Sequence, residues 1–420
     1  MIWGILAIMS MNLVDTFYVA QLGTEPLAAM GFTIPIVSIL LSLAFGVGIG
    51  VSSVISRAIG SGEQTLVKSY ATQSLFIGLS IAISFAIVGY HFMDEIFMAL
   101  GAPKSLMPRI HQFMDIWFLG SFVVIIPMVG NSALRAAGNT KVPGFIMVLV
   151  AVINIILDPI LIFGWFGFPR MELAGAALAT VISYSAALLL SLYLLMIRMR
   201  FLSLSACKGL VIKSWKDILY IAIPAVGTNL IAPISVAITT WMVAQHSAEA
   251  VAGFGVASRI ESICLVVIMG ISSIIGPFVG QNLGAKRYDR IVYGLKISIR
   301  FVCVWSLSIA LLLGVFGDSI TRAFTDDPLV QASATSYFIW VPITYAFLGI
   351  IMLVSSMSNG LGRPTPSLVM SFLRLVGLYL PLAFLLGDML GLEGIYLAGA
   401  IANILVGALA LMWQKKLLIA

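Results

Sequence analysis

Charge is scarce in this sequence. Only 10% of its 420 residues are Asp, Glu, Lys or Arg, and 61% are hydrophobic. A soluble domain carries about 25% charged residues, so a water-exposed surface of this size is excluded. Cysteine and histidine are scarce too. Cys207, Cys264 and Cys303 include no CxxC pair, and His91, His111 and His246 show no ligand spacing. A disulfide framework, a metal centre and a metal- or His-based enzyme are therefore not expected. We read the histidines as interfacial or packing residues. Long basic runs are absent as well. The net charge is +6, yet no run of Lys or Arg exceeds two residues, which argues against nucleic acid as a partner. No cleavable signal peptide is visible. Met1 begins inside apolar sequence without a charged lead, so natural residues are expected ahead of it.

What is present is a series of apolar runs near twenty residues long, broken by Gly, Pro and charge. Runs of that length cross a bilayer as helices and are too long for barrel strands of roughly 9–11 residues. The fold class is an all-α polytopic membrane protein with twelve transmembrane helices. The first span is 1–20, the fifth 143–164, the sixth 173–197 and the last 394–413. A stretch without a strong apolar run, 198–216, divides a six-helix lobe (1–197) from a second (217–420). This basic cytoplasmic linker carries five Lys and Arg.

Orientation follows from the loops. Connections after even-numbered spans, together with the C-terminal tail, hold fifteen Lys and Arg. Those after odd-numbered spans hold four: Lys104, Arg109, Arg170 and Arg322. The even loops and both termini are expected in the cytoplasm. The two halves also repeat. TEPLAAMGFTIPI (24–36) aligns with AEAVAGFGVASRI (248–260) at an offset of 224, and Gly46/Gly270, Gly60/Gly284 and Gly138/Gly362 keep that register. Halves in one register share a membrane orientation, so a pseudo-twofold relation along the membrane normal is expected, with a substrate route between them. Gly46, Gly48 and Gly50 suit close helix packing.

Polar residues inside such spans carry the chemistry. Asp15 lies in the first span, Asn154 and Asp158 one turn apart in the fifth, and Thr180 in the sixth. An acid in hydrocarbon is costly and marks a functional site by default. At 1.5 Å per residue, Asp15, Asp158 and Thr180 lie about 8–10 Å from the outer ends of their spans. Equal depth allows them to meet. Asn12 and Tyr18, a turn either side of Asp15, add polar groups to its stripe. Such oxygens suit either a shared proton or a desolvated Na+ held by Asp15, Asn154, Asp158 and Thr180. With no third acid evident, the proton is favoured. At offset 224, Asn154 and Asp158 face Leu378 and Leu382. The ion is therefore expected only in the first half. Arg259 and Glu261, two apart in the eighth span, point to different helix faces, and each should have its own structural partner. Asp115 and Arg374 are read as interfacial.

The ordered set LGTEPLAAMGFTIPI, GVGIGVSSVISRAIGSGE, LRAAGNTKVP, NIILDPILIFG with AGAALATVIS, and then AVAGFGVASRIES, FVGQNLGAKR and SNGLGRPTP resembles the multidrug and toxic compound extrusion (MATE) transporters over the whole chain. Within them it resembles the DinF-like prokaryotic branch, with an acid in the first span and Asn-x-x-x-Asp in the fifth. The resemblance implies antiport of lipophilic or cationic drug-like compounds against H+, or alternatively Na+, in a prokaryotic inner membrane. It implies no further cofactor, and a monomer is expected. It also suggests Asn131 in the fourth span as a supporting residue. The acids that a NorM-like branch carries in spans seven and ten are absent here. The rival reading is a lipid or lipid-linked sugar flippase of related fold. It needs a strongly cationic cavity, for which membrane-embedded basic residues are few.

Overall fold

The computed structural model describes residues 1–419, and every regular element among them is helical. The first unit is Met1–Val226 and the second starts at Gly227. In the first unit, α1 (Ile2–Ala20), α2 (Thr24–Gly60), α3 (Gln64–His91) and a short α4 (Met93–Ala99) are followed by α5 (Met107–Leu119), α6 (Ser121–Ala136), α7 (Lys141–Phe163) and α8 (Glu172–Tyr193). α9 (Val211–Ala244) runs across the division. The second unit then holds α10 (Ala248–Gly284), α11 (Tyr288–Arg322), α12 (Pro328–Trp340), α13 (Tyr345–Gly360), α14 (Thr365–Phe372), α15 (Leu380–Leu390) and α16 (Leu392–Ile419).

Eleven of the described helical stretches are long and apolar enough to cross a membrane. Counting a bent pair as one span makes twelve. That pair is α5 and α6, which meet at 47°. Gly120 sits at the break. A Cβ there would stand 2.3 Å from a Val181 methyl, so the bend brings α8 into the space a side chain would take. Each unit has its own apolar core. In the first, α1 packs on α7, α7 on α8, and α2 and α3 on α6. In the second, α10 packs on α12 and α13, and α15 on α16.

The division between units differs from the expected 198–216 linker. Helix resumes at Val211, and the first sixteen residues of α9 belong to the first unit. Side-chain bonds explain this. Ser214 bonds Ser69 at 2.9 Å, the Trp215 indole donates to Gln73 at 2.8 Å, and the Tyr70 hydroxyl donates to Asp217 at 2.6 Å. A Cβ on Gly50 would meet the Ile218 carbonyl at 2.6 Å, so α2 and α9 approach there to backbone distance. The connection itself is docked on α3, where the Ser203 amide donates to Thr72 at 2.9 Å. Tyr70→Phe removes the donor to Asp217 and leaves a carboxylate short of a partner. A loss of about 1.5–3 kcal/mol in stability is expected, read as a lower melting temperature in detergent. An unchanged melting curve would show that this bond does not anchor α9.

Candidate functional site

In a helix with apolar surroundings on all sides, the inward face is set by neighbours rather than by polarity. The buried residues of α1 are Gly4, Met11, Asp15 and Val19, one stripe at helical spacing. That stripe faces α7, against which α1 packs. Small residues permit the approach, with Gly4 set against the Gly144 backbone. Asp15 is therefore carried inward by α1 and is only 9% exposed. On α7, Asn154 and Asp158 are fully buried, one turn apart on one face. Pro159 follows directly and has no N–H, so it cannot serve the Ile155 carbonyl one turn back.

The structure brings four of the expected residues into one cluster. The carboxyls of Asp15 and Asp158 interact side chain to side chain across α1 and α7. The Asn154 amide lies 3.5 Å from Asp158 Oδ1 and 3.4 Å from Thr180 Oγ1, bridging α7 to α8. Thr180 donates its own proton to the Ala176 carbonyl at 3.1 Å. Its oxygen is thereby turned toward Asn154 as an acceptor. Three buried oxygens of this cluster, Asp15 Oδ1, Asn154 Oδ1 and Asp158 Oδ2, have no hydrogen-bond partner among the described residues. Buried polar atoms are almost always paired. Three orphaned acceptors in one place are a demand for a proton donor or a cation.

The supporting residues divide. Tyr18 is half-buried and stacks edge-on against Phe163 of α7, with ring centroids 6.0 Å apart. Asn12 is exposed, although its i, i+3 spacing sets it beside Asp15 on α1. Asn131 is buried on α6 but at another depth. The neighbouring Gly130 abuts Ser191 of α8, and Ser191 is eleven residues, about 16 Å, along α8 from Thr180. Asn131 therefore does not join the cluster.

One residue of the cluster was not anticipated. Tyr184, one turn beyond Thr180 on α8, lies within electrostatic reach of Asp15. The i, i+4 spacing from Thr180 was the available signal. In the second unit, Glu261 accepts a hydrogen bond from the Tyr337 hydroxyl. Arg374 is not interfacial as its position near a span end suggested. It donates to Asn403 at 3.2 Å, inside the unit. It lies at the start of a π-helical segment, Leu373–Tyr379, that joins α14 to α15.

Comparison with known proteins gives a consistent set. The family model MatE matches residues 1–160 and 224–385. A FAD transporter of Shewanella oneidensis strain MR-1 is 40% identical over 405 residues, covering 96% of this chain and 90% of that protein. A probable multidrug resistance protein, NorM of Thermotoga maritima, is 25% identical and covers 97% of this chain and 90% of its own. Among solved structures, the Vibrio cholerae MATE transporter VcmN in the bent form superposes with a TM-score of 0.94. It is 32% identical, covering 99% of this chain and 94% of that one.

Proposed function

Because this chain belongs to the MatE family of transporters, we propose that it exports small aromatic compounds by antiport with protons, which bind at Asp15 and Asp158. The chain is a multi-pass membrane transporter, and the coupling ion and cargo are what the proposal adds. The observation that carries it is the burial of Asp15 and Asp158 on packed faces of α1 and α7, each with a carboxyl oxygen left without a partner among the described residues. Two buried carboxylates this close repel one another, and a proton shared between them removes that repulsion. Asn154 and Thr180 hold the α7 member of the pair in place.

Protonation from outside neutralises the pair and joins α1 to α7. Loss of the proton inside separates two like charges and loosens that joint. The ion thus binds two conformations with different affinity, which is the condition for coupling. A lipophilic cation could use the deprotonated pair as its counter-charge and would be displaced when the proton returns. The Shewanella relative points to a second cargo, FAD. A pyrophosphate-bearing cargo cannot pair with Asp15, so its export would be driven through the α1–α7 joint alone.

Sodium is the second reading, favoured by the orphaned oxygens. Asp15 Oδ1, Asn154 Oδ1 and Asp158 Oδ2, with Thr180 Oγ1, are the hard oxygen ligands an alkali cation takes. Proteoliposomes loaded with FAD, and separately with ethidium, distinguish the two. With ΔpH imposed alone, efflux of at least one cargo is expected; with ΔpNa alone, none. Efflux driven only by ΔpNa transfers the site to sodium. Efflux indifferent to both gradients removes the coupling role altogether.

A further inference from the structure

The second unit contains a cavity of about 350 Å³. That volume is at the lower end of small-molecule pockets, about 300–1,000 Å³. It suits a fused-ring fragment rather than a whole dinucleotide. We propose that this cavity binds a planar heteroaromatic ring with an imide edge, an N–H flanked by carbonyls, as in the pyrimidinedione part of a flavin. The proposal rests on the reading of the chain as an exporter of aromatic compounds and names how such a cargo is recognised.

One wall is aromatic. Phe254 and Tyr396 lie within 20° of parallel with ring centroids 6.4 Å apart, and Tyr337 meets Tyr396 edge-on at 5.1 Å. All three rings line the cavity, and their mutual packing fixes them in place. A second wall carries opposite charges. Glu261 and Arg374 both line the cavity and are within electrostatic reach of each other. Among the described residues they do not close into an ion pair. Each is instead held by a neutral neighbour. Tyr337 donates to Glu261. Arg374 donates to Asn403, which donates onward to Thr344 at 3.0 Å. The guanidinium has five N–H donors, and this bond uses one.

The pairing of charges selects the ligand. A simple cation would satisfy Glu261 and be repelled by Arg374, and a simple anion would do the reverse. A neutral ring with a donor beside an acceptor satisfies both at once. Its N–H reaches the carboxylate and its carbonyl takes the free guanidinium donors, while the ring lies on the aromatic wall. A ligand without that edge covers the cavity-facing carboxylate oxygen or the remaining guanidinium donors without bonding them, which costs affinity.

Lumichrome, a three-ring flavin fragment with this edge, is the probe, and its N3-methyl derivative blocks the central donor. Binding to the purified full chain in detergent is followed by fluorescence titration without any ion gradient. Glu261→Gln weakens the acceptor and keeps the volume. Gly399→Leu keeps every charge and fills the cavity; a Cβ there meets only the Tyr379 ring, at 3.7 Å. Saturable lumichrome binding is expected, weaker by about tenfold or more for the N3-methyl compound and for both variants. Three results overturn the proposal: no saturable binding by the unaltered chain, equal affinity for the N3-methyl compound, or undiminished binding by either variant. Because no gradient is present, the outcome is independent of coupling at Asp15. Failure of gradient-driven efflux with lumichrome binding intact would count against the coupling reading alone.

Discussion

Replacing Asp15 with Asn is expected to reduce gradient-driven efflux to the level of empty liposomes, while the protein still folds and inserts. The substitution is nearly isosteric. An amide still hydrogen-bonds Asp158 across α1 and α7, so the packing of the buried stripe of Gly4, Met11, Asp15 and Val19 is kept. What it removes is the titratable member on α1, so a proton can no longer be shared between α1 and α7. A site that binds both conformations equally drives nothing, however well it binds. The measurement is efflux under imposed ΔpH, with expression and melting temperature of the variant recorded beside it. Full efflux would end the assignment of Asp15. Asp158→Asn is the companion test. It leaves Asp15 to titrate without a carboxyl partner, so the pH profile of transport should move. An unmoved profile would return Asp158 to a structural role within the Asn154–Thr180 network.

Much of this arrangement was legible in the sequence, and the exceptions have a common cause. Span length and the rarity of charge indicated a polytopic helical protein, because a bilayer admits few alternatives. Asp15 and Asp158 stood out because an acid in hydrocarbon has no inexpensive explanation. Depth counted from the span ends suffices to place Asp15, Asp158 and Thr180 at one level. Rotation about each helix axis is less readable. Lipid and protein interior are both apolar, so α1 carries no polar face to mark its outside. Asn12 therefore reads as part of the Asp15 stripe in sequence, although it is exposed in the structure. Asn131 is suggested by resemblance and not by depth. It lies at the level of Ser191, well away from Thr180. The second unit shows the largest gap. Glu261 and Arg374 lie in different spans, more than a hundred residues apart, and Arg374 opens a π-helical segment. Helical periodicity cannot register that extra residue.

Gly175→Val is expected to be strongly damaging although it lies outside the cluster, because this glycine lets α8 approach the α7 backbone. A Cβ at Gly175 would stand 2.6 Å from the Leu161 carbonyl carbon and oxygen and 2.8 Å from the Ile162 nitrogen. These are backbone atoms of α7, three and four residues past Asp158, and they cannot swing aside as a side-chain terminus could. The helices must separate, and Thr180 lies five residues further along α8. Its contact with Asn154 is already long at 3.4 Å, so a shift of even ~0.5 Å takes it beyond hydrogen-bonding range. Overpacking of this kind costs about 1–3 kcal/mol, and efflux should fall close to the Asp15→Asn level. Truncating Leu161 to Ala should not rescue it, since the obstruction is main chain. Gly314 in α11 is the control, because a Cβ there meets nothing within 4 Å. Gly314→Val should leave transport intact. If Gly175→Val also transports normally, the close contact of α7 and α8 is not what holds Thr180 against Asn154.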